Sequence, residues 1–271
     1  MLLEVRDVWY SYPGSSFTLR GVSLGADKGE VVAIIGPVGC GKTTLLMVAS
    51  GLIKPHRGVV LFRGKLLEEQ LPRARRSIGV VFQDPNDQLF NPTVYDELAF
   101  SLRQLDYSEG EIRSLIGELA RRFNLEDLLD KSPYKLSAGE KKMVALASIL
   151  IYEPELLFLD EPTSNLSAKF SREIKSIILE MRESGKSIVV ASHDIEFVMG
   201  VADRVYVMSD GAIIGGGSIV DVICSESLLM VADMELPLVL QVLKALKVDF
   251  KSDVLLLNRG KLIGLLKKKL C

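Results

Sequence analysis

No apolar run in this chain approaches the ~18 residues that a bilayer-spanning helix needs, so no transmembrane segment is expected. Cysteine is scarce. Cys40, Cys224 and Cys271 show neither disulfide nor metal-ligand spacing, which excludes a disulfide framework and fits a reducing cytoplasm. Charge of one sign is not in excess either: 33 Lys and Arg against 35 Asp and Glu leave a net charge of −2. No global basic field therefore argues for nucleic acid. Met1-Leu2-Leu3-Glu4-Val5 lacks a basic n-region and a cleavage site, so no signal peptide is expected. Internal repeats and low-complexity linkers are absent, which excludes solenoids and arrays. What remains is a 271-residue chain, 48% hydrophobic and 25% charged, ordinary for a globular protein with a sizeable core. Its mean hydropathy of +0.25 is high, as a large core or an interface with other subunits would make it.

Gly36-Pro37-Val38-Gly39-Cys40-Gly41-Lys42-Thr43 is a G-x-x-x-x-G-K-[ST] phosphate-binding loop. The apolar run Val31–Ile35 before it reads as a buried parallel strand, and Thr44-Leu45-Leu46-Met47-Val48 after it as the first turns of a helix. That strand–loop–helix context is what the motif requires. Glycines let the loop curl so that backbone N–H groups converge on phosphate oxygens, and the helix N-terminus adds partial positive charge. In this pattern Lys42 reaches the β/γ-phosphates and the Thr43 hydroxyl holds Mg²⁺.

Along the chain, residues 2–10 and 17–24 read as two strands around a turn at 11–15. Further strands are expected at 58–62, 77–82, 156–159 and 187–191, with strands and helices alternating to about residue 217. Residues 94–152 break that pattern with three helical stretches, 94–105, 109–123 and 139–152, a helical subdomain set into an α/β protein. The alternation predicts a mostly parallel sheet covered by helices. Beyond about 221 it stops. Pro237 opens an amphipathic stretch placing Leu238, Val239, Val242, Leu243 and Leu246 on one helical face, and residues 260–270 end in Lys267-Lys268-Lys269, read as a solvated tail. Arg73, Arg75 and Arg76 read as a solvated basic face, and His56 as ordinary surface.

Leu156-Leu157-Phe158-Leu159-Asp160-Glu161 is a hydrophobic strand ending in two carboxylates. In a phosphate-loop protein an acid at a strand end completes the Mg²⁺ shell, a role Asp160 fits. Glu161, one residue on, can orient attacking water or take its proton. The other reading is an acidic pair placed only to favour a helix N-terminus.

Leu136-Ser137-Ala138-Gly139-Glu140, opening a helix just before that strand, resembles the Leu-Ser-Gly-Gly-Gln signature of ATP-binding-cassette (ABC) ATPases. Tyr12 matches the aromatic residue that stacks on adenine in that family, with Tyr10 as the alternative ring; Gln83 matches the Q-loop glutamine; Ser192-His193-Asp194 matches the switch histidine. No Asn-Lys-x-Asp guanine motif is present. The resemblance runs from about residue 2 to 217 and implies an α/β phosphate-loop NTPase fold. That fold has a RecA-like parallel-sheet core, an N-terminal antiparallel β subdomain and a helical subdomain. Residues 1–221 would form the ATPase domain and 222–271 a small C-terminal extension, a dimerisation element on this reading. A narrower likeness, in Val81 to Phe90, in Trp9-Tyr10-Ser11-Tyr12-Pro13-Gly14 and in the extension, is to ATPases of energy-coupling factor and cobalt-type transporters.

The resemblance implies ATP with Mg²⁺ and a nucleotide site of Tyr12, Gly36, Pro37, Val38, Gly39, Cys40, Gly41, Lys42, Thr43 and Thr44. Metal ligands would be Thr43, Gln83 and Asp160; catalysis would fall to Glu161, His193 and Gln83. Ser137, Ala138, Gly139 and Glu140 would face ATP held by a second ABC ATPase subunit, paired head to tail. Partners would be a membrane T-component and a substrate-binding S-component, with no nucleic acid, and the chain would sit peripherally on the cytoplasmic face of the membrane. Leu89 and Phe90 would help form a groove for a cytoplasmic helix of the membrane subunit. The chain departs from the family at Val38 (usually Ser or Asn), Ala138 (Gly), Glu140 (Gln) and Ser167 (Asp). These departures favour a heterodimer, with a homodimer as the alternative. Two other classes stay open: a weakly hydrolysing regulatory half of a heterodimer, and a soluble ABC protein of repair or translation. The last usually needs a second cassette or a long coiled-coil insertion, which this sequence lacks.

Overall fold

The computed structural model describes residues 1–14 and 18–245. Residues 15–17 of the expected first turn and strand lie outside them, as do Leu246 and residues 260–270 of the expected tail. Strand β1 (Leu3–Tyr10) pairs antiparallel with β2 (Leu19–Ala26) and with β4 (Arg57–Phe62), which turns into the short β5 (Lys65–Leu66). The four form one antiparallel sheet in the order β2-β1-β4-β5.

The second sheet is built from β3 (Val31–Ile35), β6 (Ile78–Val81), β7 (Leu156–Asp160), β8 (Ser187–Ala191), β9 (Arg204–Ser209) and β10 (Ala212–Ser218). Its order is β10-β9-β3-β8-β7-β6, parallel throughout except for the β9–β10 hairpin. Every residue of β3, β7 and β8 is buried, the reason their sequences run apolar without alternation. Two-residue periodicity still divides them. Val31, Ala33, Ile35, Leu157, Leu159, Ile188 and Val190 face the helical core. Val32, Ile34, Leu156, Phe158 and Val189 face a second core shared with the antiparallel sheet and α1 (Lys42–Ala49). Each fully buried aliphatic side chain contributes about 1.5–3 kcal/mol, so the central strands can hold strained residues at their ends.

Three helices lie between β6 and β7: α3 (Val94–Gln104), α4 (Glu109–Phe123) and α5 (Ala138–Leu150). Their order matches the sequence reading. α4 opens on a capping box of Ser108 and Glu111, buries Ile112, Ile116, Ala120 and Phe123 along one face, and stops at Asn124 in the left-handed conformation (φ 53°). α5 opens on the same device, Ser137 with Glu140.

Helix α2 (Leu67–Ala74) was not expected. It is short and contains Pro72, but Leu67, Leu71 and Ala74 line one face and pack on the core below the antiparallel sheet. The expected alternation to residue 217 also fails at its end. After α6 (Ala168–Glu183) and α7 (Ile195–Met199), β9 returns directly as β10 through Asp210 and Gly211, both at positive φ. Asp-Gly is a hairpin signal that was present in the sequence. Helices α8 (Ile219–Ile223), α9 (Glu226–Val231) and α10 (Leu238–Ala245) follow. Of the apolar face read on α10, Leu238 and Val242 are exposed, while Leu240, outside that face, is buried. The side chains of Val239 and Leu243 lie outside the described residues. Among the described residues no helix is long and apolar enough to cross a membrane.

Candidate functional site

The loop from Gly36 to Gly41 leaves the C-terminal end of β3 and enters α1 directly at Lys42. Gly36, Gly39 and Gly41 take φ of 156°, 81° and 108°. A Cβ on Gly36 would stand 2.0 Å from the Met208 carbonyl oxygen, and one on Gly41 would stand 2.9 Å from that of Thr18. Both glycines are therefore dictated by close backbone approach as well as by conformation. No side chain caps α1, which leaves first-turn N–H groups for a ligand. The Lys42 side chain is buried and donates to the carbonyls of Gly36 (2.7 Å) and Pro37 (3.0 Å), folding the loop around its ammonium. Val38 is almost fully exposed. Cys40 is buried, and burial pushes its thiol up.

Tyr12 lies beside this loop: its phenol is 3.4 Å from the hydroxyl of buried Thr44. Tyr10 meets Tyr12 edge-on at 5.1 Å between centroids and also stacks at a tilt on His56, 5.0 Å away. His56 is exposed, as expected, and joins this aromatic group.

Strand order decides the rest of the site. β3, β8 and β7 are neighbours, and their C-terminal ends coincide: Ile34 pairs with Ala191, and Ala191 with Asp160. Lys42, Asp160, Glu161 and His193 therefore converge on one sheet edge, where α/β proteins hold ligands. Asp160 Oδ2 accepts the Thr43 hydroxyl at 2.6 Å. Its other oxygen, Oδ1, is buried without a partner. Burial pushes the Asp160 carboxyl up, while the Thr43 hydroxyl works in the opposite direction. An orphaned buried oxygen beside a hydroxyl is the donor set a hard divalent cation takes, so these residues fit Mg²⁺.

Glu161 sits past the strand end with φ 43°, a conformation costing about 1–3 kcal/mol in a non-glycine residue. Its N–H is satisfied by the Ala191 carbonyl at 2.9 Å, and its buried carboxylate lies 2.8 Å from His193 Nδ1. Asp194, not foreseen beyond its place in the motif, caps α7 by accepting the Phe197 N–H at 2.9 Å. That cap fixes the turn on which the half-exposed His193 stands.

Gln83 follows β6 and is exposed. It lines a cleft of about 480 Å³ together with Thr43, Asp160, Ala138 and Lys142. Lys142, which the sequence reading missed, is buried in α5 and donates to the Phe82 (3.1 Å) and Gln83 (2.6 Å) carbonyls. Burial lowers it to about 8, against the opposing pull of Asp160, Asp84 and Glu161. The place of Lys142 one residue before the apolar run from Met143 to Ala147 was the signal available in the sequence.

Ser137 is exposed at the α5 N-terminus, and its hydroxyl donates to Glu140 Oε2 at 2.7 Å. The same oxygen accepts the Ser137 N–H at 2.8 Å. Both bonds hold the Glu140 carboxyl below the usual range. Gly139 is buried against α6; a Cβ there would meet the Phe170 ring at 2.4 Å. Ser167 caps α6 in position only, with no side-chain bond to the helix.

Leu89 corrects one expectation. It is buried in the helical core, whereas Phe90 is 61% exposed and packs edge-on against Phe100, 5.0 Å between centroids. Only Phe90 of the pair therefore borders the apolar groove, of about 490 Å³, that runs between α2 and α3.

The family model for ABC transporters matches residues 19–164. A Methanococcus maripaludis protein named energy-coupling factor transporter ATP-binding protein EcfA is 36% identical over 266 residues, 97% of this chain and 95% of that protein. EcfA3 of Clostridium perfringens, with the same descriptive name, is 36% identical over 250 residues, 91% of this chain and 88% of its own. The solved structure of cbiO1 from Clostridium perfringens, described as part of the ABC transporter complex cbiONQ, superposes with a TM-score of 0.75 at 35% identity, covering 90% of this chain and 98% of that one. A dimeric ATP-binding cassette bound to ADP and phosphate superposes with a TM-score of 0.73 at 28% identity, covering 80% and 99%. The matched segment carries both the phosphate loop and the Asp160–Glu161 strand end, and the likeness extends over nearly the whole chain: it belongs to the ABC transporter family, as one of its ATPases.

Proposed function

We propose that this chain is the ATP-hydrolysing subunit of an energy-coupling-factor-type importer for vitamins or transition-metal ions. It would work on the cytoplasmic face of the membrane in a head-to-tail pair of ATPase subunits, beneath a membrane T-component and a substrate-binding S-component. The observation that carries the chemistry is the Glu161–His193 contact of 2.8 Å, set beside the orphaned oxygen of Asp160 and the buried Lys42. Phosphoryl transfer needs positioning and charge neutralisation more than covalent help, and this group supplies both.

In this reading the loop N–H groups between Gly36 and Thr44, those of Val38 and Cys40 among them, cradle the phosphates, Pro37, which has no N–H, shapes the turn, and Tyr12 stacks on the base. Lys42 exchanges its two carbonyl partners for β/γ-phosphate oxygens. Thr43, Asp160 and Gln83 hold Mg²⁺, which when bound neutralises phosphate charge. Glu161 orients the attacking water and takes its proton, with the His193 ring fixing the carboxylate. Ser137, Ala138, Gly139 and Glu140 present α5 to nucleotide on the second subunit. Residues 222–271 act as an extension that helps the subunits pair. Purifying the intact membrane complex and measuring its ATPase and uptake tests the reading; an active ATPase that never associates with membrane components would overturn it.

The groove beside Phe90 and Phe100 suits a short cytoplasmic helix of the T-component, since an apolar floor rimmed by Arg75 and Arg76 receives an amphipathic helix. Phe90→Asp is expected to lower recovery of the assembled complex about tenfold or more, an acid replacing a central aromatic contact. ATP binding by the isolated chain should be unchanged. Pull-down yield beside nucleotide titration checks both; undiminished assembly would remove this surface from the reading.

A heterodimer is favoured by one contact in particular. Glu140 already engages the Ser137 hydroxyl at 2.7 Å and is anionic, so this signature meets a partner's phosphates with repulsion. The composite site closed by this signature is then the weaker one. In the assembled complex, inactivating Glu161 should cost about tenfold more ATPase than inactivating the partner's equivalent glutamate. Equal losses would favour the homodimer or two equivalent sites.

A further inference from the structure

Lys142 is buried, with 2% of its surface accessible. An ammonium taken out of water costs several kcal/mol unless it is bonded, so an apolar residue would be favoured here if packing were the only task. Its partners are specific. Both acceptors given to Nζ are backbone carbonyls of consecutive loop residues, Phe82 at 3.1 Å and Gln83 at 2.6 Å. Among the described residues no carboxylate lies within ion-pair distance of it.

Two further ties run from the same loop to the same helix. Lys141 Nζ donates to Asn86 Oδ1 at 2.8 Å. The Gln88 amide donates to the Ala145 carbonyl at 2.8 Å while its oxygen accepts the Phe82 N–H at 3.3 Å. The Lys141 bond is exposed and worth little; Lys142 is the buried, unscreened member. The loop is thus strapped to the first turns of α5, the helix that Ser137 opens.

We infer that Lys142 is a positioning residue that locks the Gln83 backbone to α5, so that any rotation of that helix carries Gln83 toward or away from Thr43 and Asp160. Its significance for hydrolysis rests on the function proposed above; the strap itself does not. Gln83, Thr43, Asp160 and Lys142 line one cleft, so a shift of the helix start is transmitted at the metal-binding edge, and of the three ties only that of Lys142 holds Gln83 itself.

The test is amide hydrogen exchange on the full nucleotide-free chain, comparing wild type with K142M, K142Q and K142R. In K142M the amides of residues 82–88 are expected to exchange about tenfold faster or more, the effect of losing bonds to a charged donor. The amides of β7 and β8 should be unchanged, and K142R, which keeps charge and donors, should restore most of the protection. A packing role would instead speed exchange throughout α5 and α3. That result, or exchange at 82–88 within about twofold of wild type, overturns the inference. Should K142M not fold, K142Q against K142R makes the same comparison: faster loop exchange in K142Q supports the strap, and equal exchange overturns it. Because the readout needs neither ATP nor a partner, its failure is distinct from failure of the importer reading, which Glu161 variants test.

Discussion

Glu161→Gln is expected to slow ATP hydrolysis by about 100- to 10,000-fold, the range for removing a positioned base, while ATP affinity changes by less than about threefold. The amide keeps the shape of the carboxylate and can still bond His193 Nδ1, 2.8 Å away in the wild type. It cannot accept a proton from water. The backbone that holds residue 161 is independent of the side chain: its N–H bonds the Ala191 carbonyl at 2.9 Å. Binding and hydrolysis should therefore separate cleanly, and ATP should accumulate in closed, paired subunits. Single-turnover hydrolysis together with size-exclusion chromatography in ATP measures both. Turnover unchanged in the assembled complex would remove Glu161 from the role of base and leave its contact with His193 as a structural cap.

Lys42→Ala should weaken ATP binding by about 100-fold or more, the cost of losing charge-assisted bonds to phosphate in a site sheltered from water. The side chain is buried and already organises the loop through the Gly36 and Pro37 carbonyls. Its loss removes the cation and also the scaffold that curls the loop. Circular dichroism and thermal denaturation would show whether the fold survives, and titration with a fluorescent ATP analogue would give the affinity. Affinity within about threefold of wild type would mean that the loop amides and the α1 N-terminus bind phosphate without it.

Much of this was legible along the chain because the signals are local. Gly36 to Thr43 is contiguous, and a strand that is apolar on both faces announces a central parallel position, as β3 and β7 do. The helices of 94–152 were legible from period and caps, with α4 falling at its expected bounds. α2 was not, since its stripe of Leu67, Leu71 and Ala74 spans only two turns and is interrupted by Pro72, which argues against a helix. For α10 the period was legible but the covered side was not. A periodic face shows that a helix has two sides, not which one is covered, and Leu240 is buried where Leu238 and Val242 are exposed. Leu89 and Phe90 are equally apolar neighbours; which of them enters the core depends on where α3 and α5 pass.

The sequence by itself determined the phosphate loop, the acidic strand end, the class of fold and the family, because each rests on residue types at short spacing. Tertiary structure decided everything that depends on which distant segments meet. The order β3-β8-β7 puts Lys42, Asp160, Glu161 and His193 on one edge. Burial leaves one oxygen of Asp160 unsatisfied, and folding alone shows that Lys142 reaches the Q-loop backbone. A lysine in a helix is unremarkable as a letter; it becomes informative only when packing removes it from water and leaves two carbonyls as its partners.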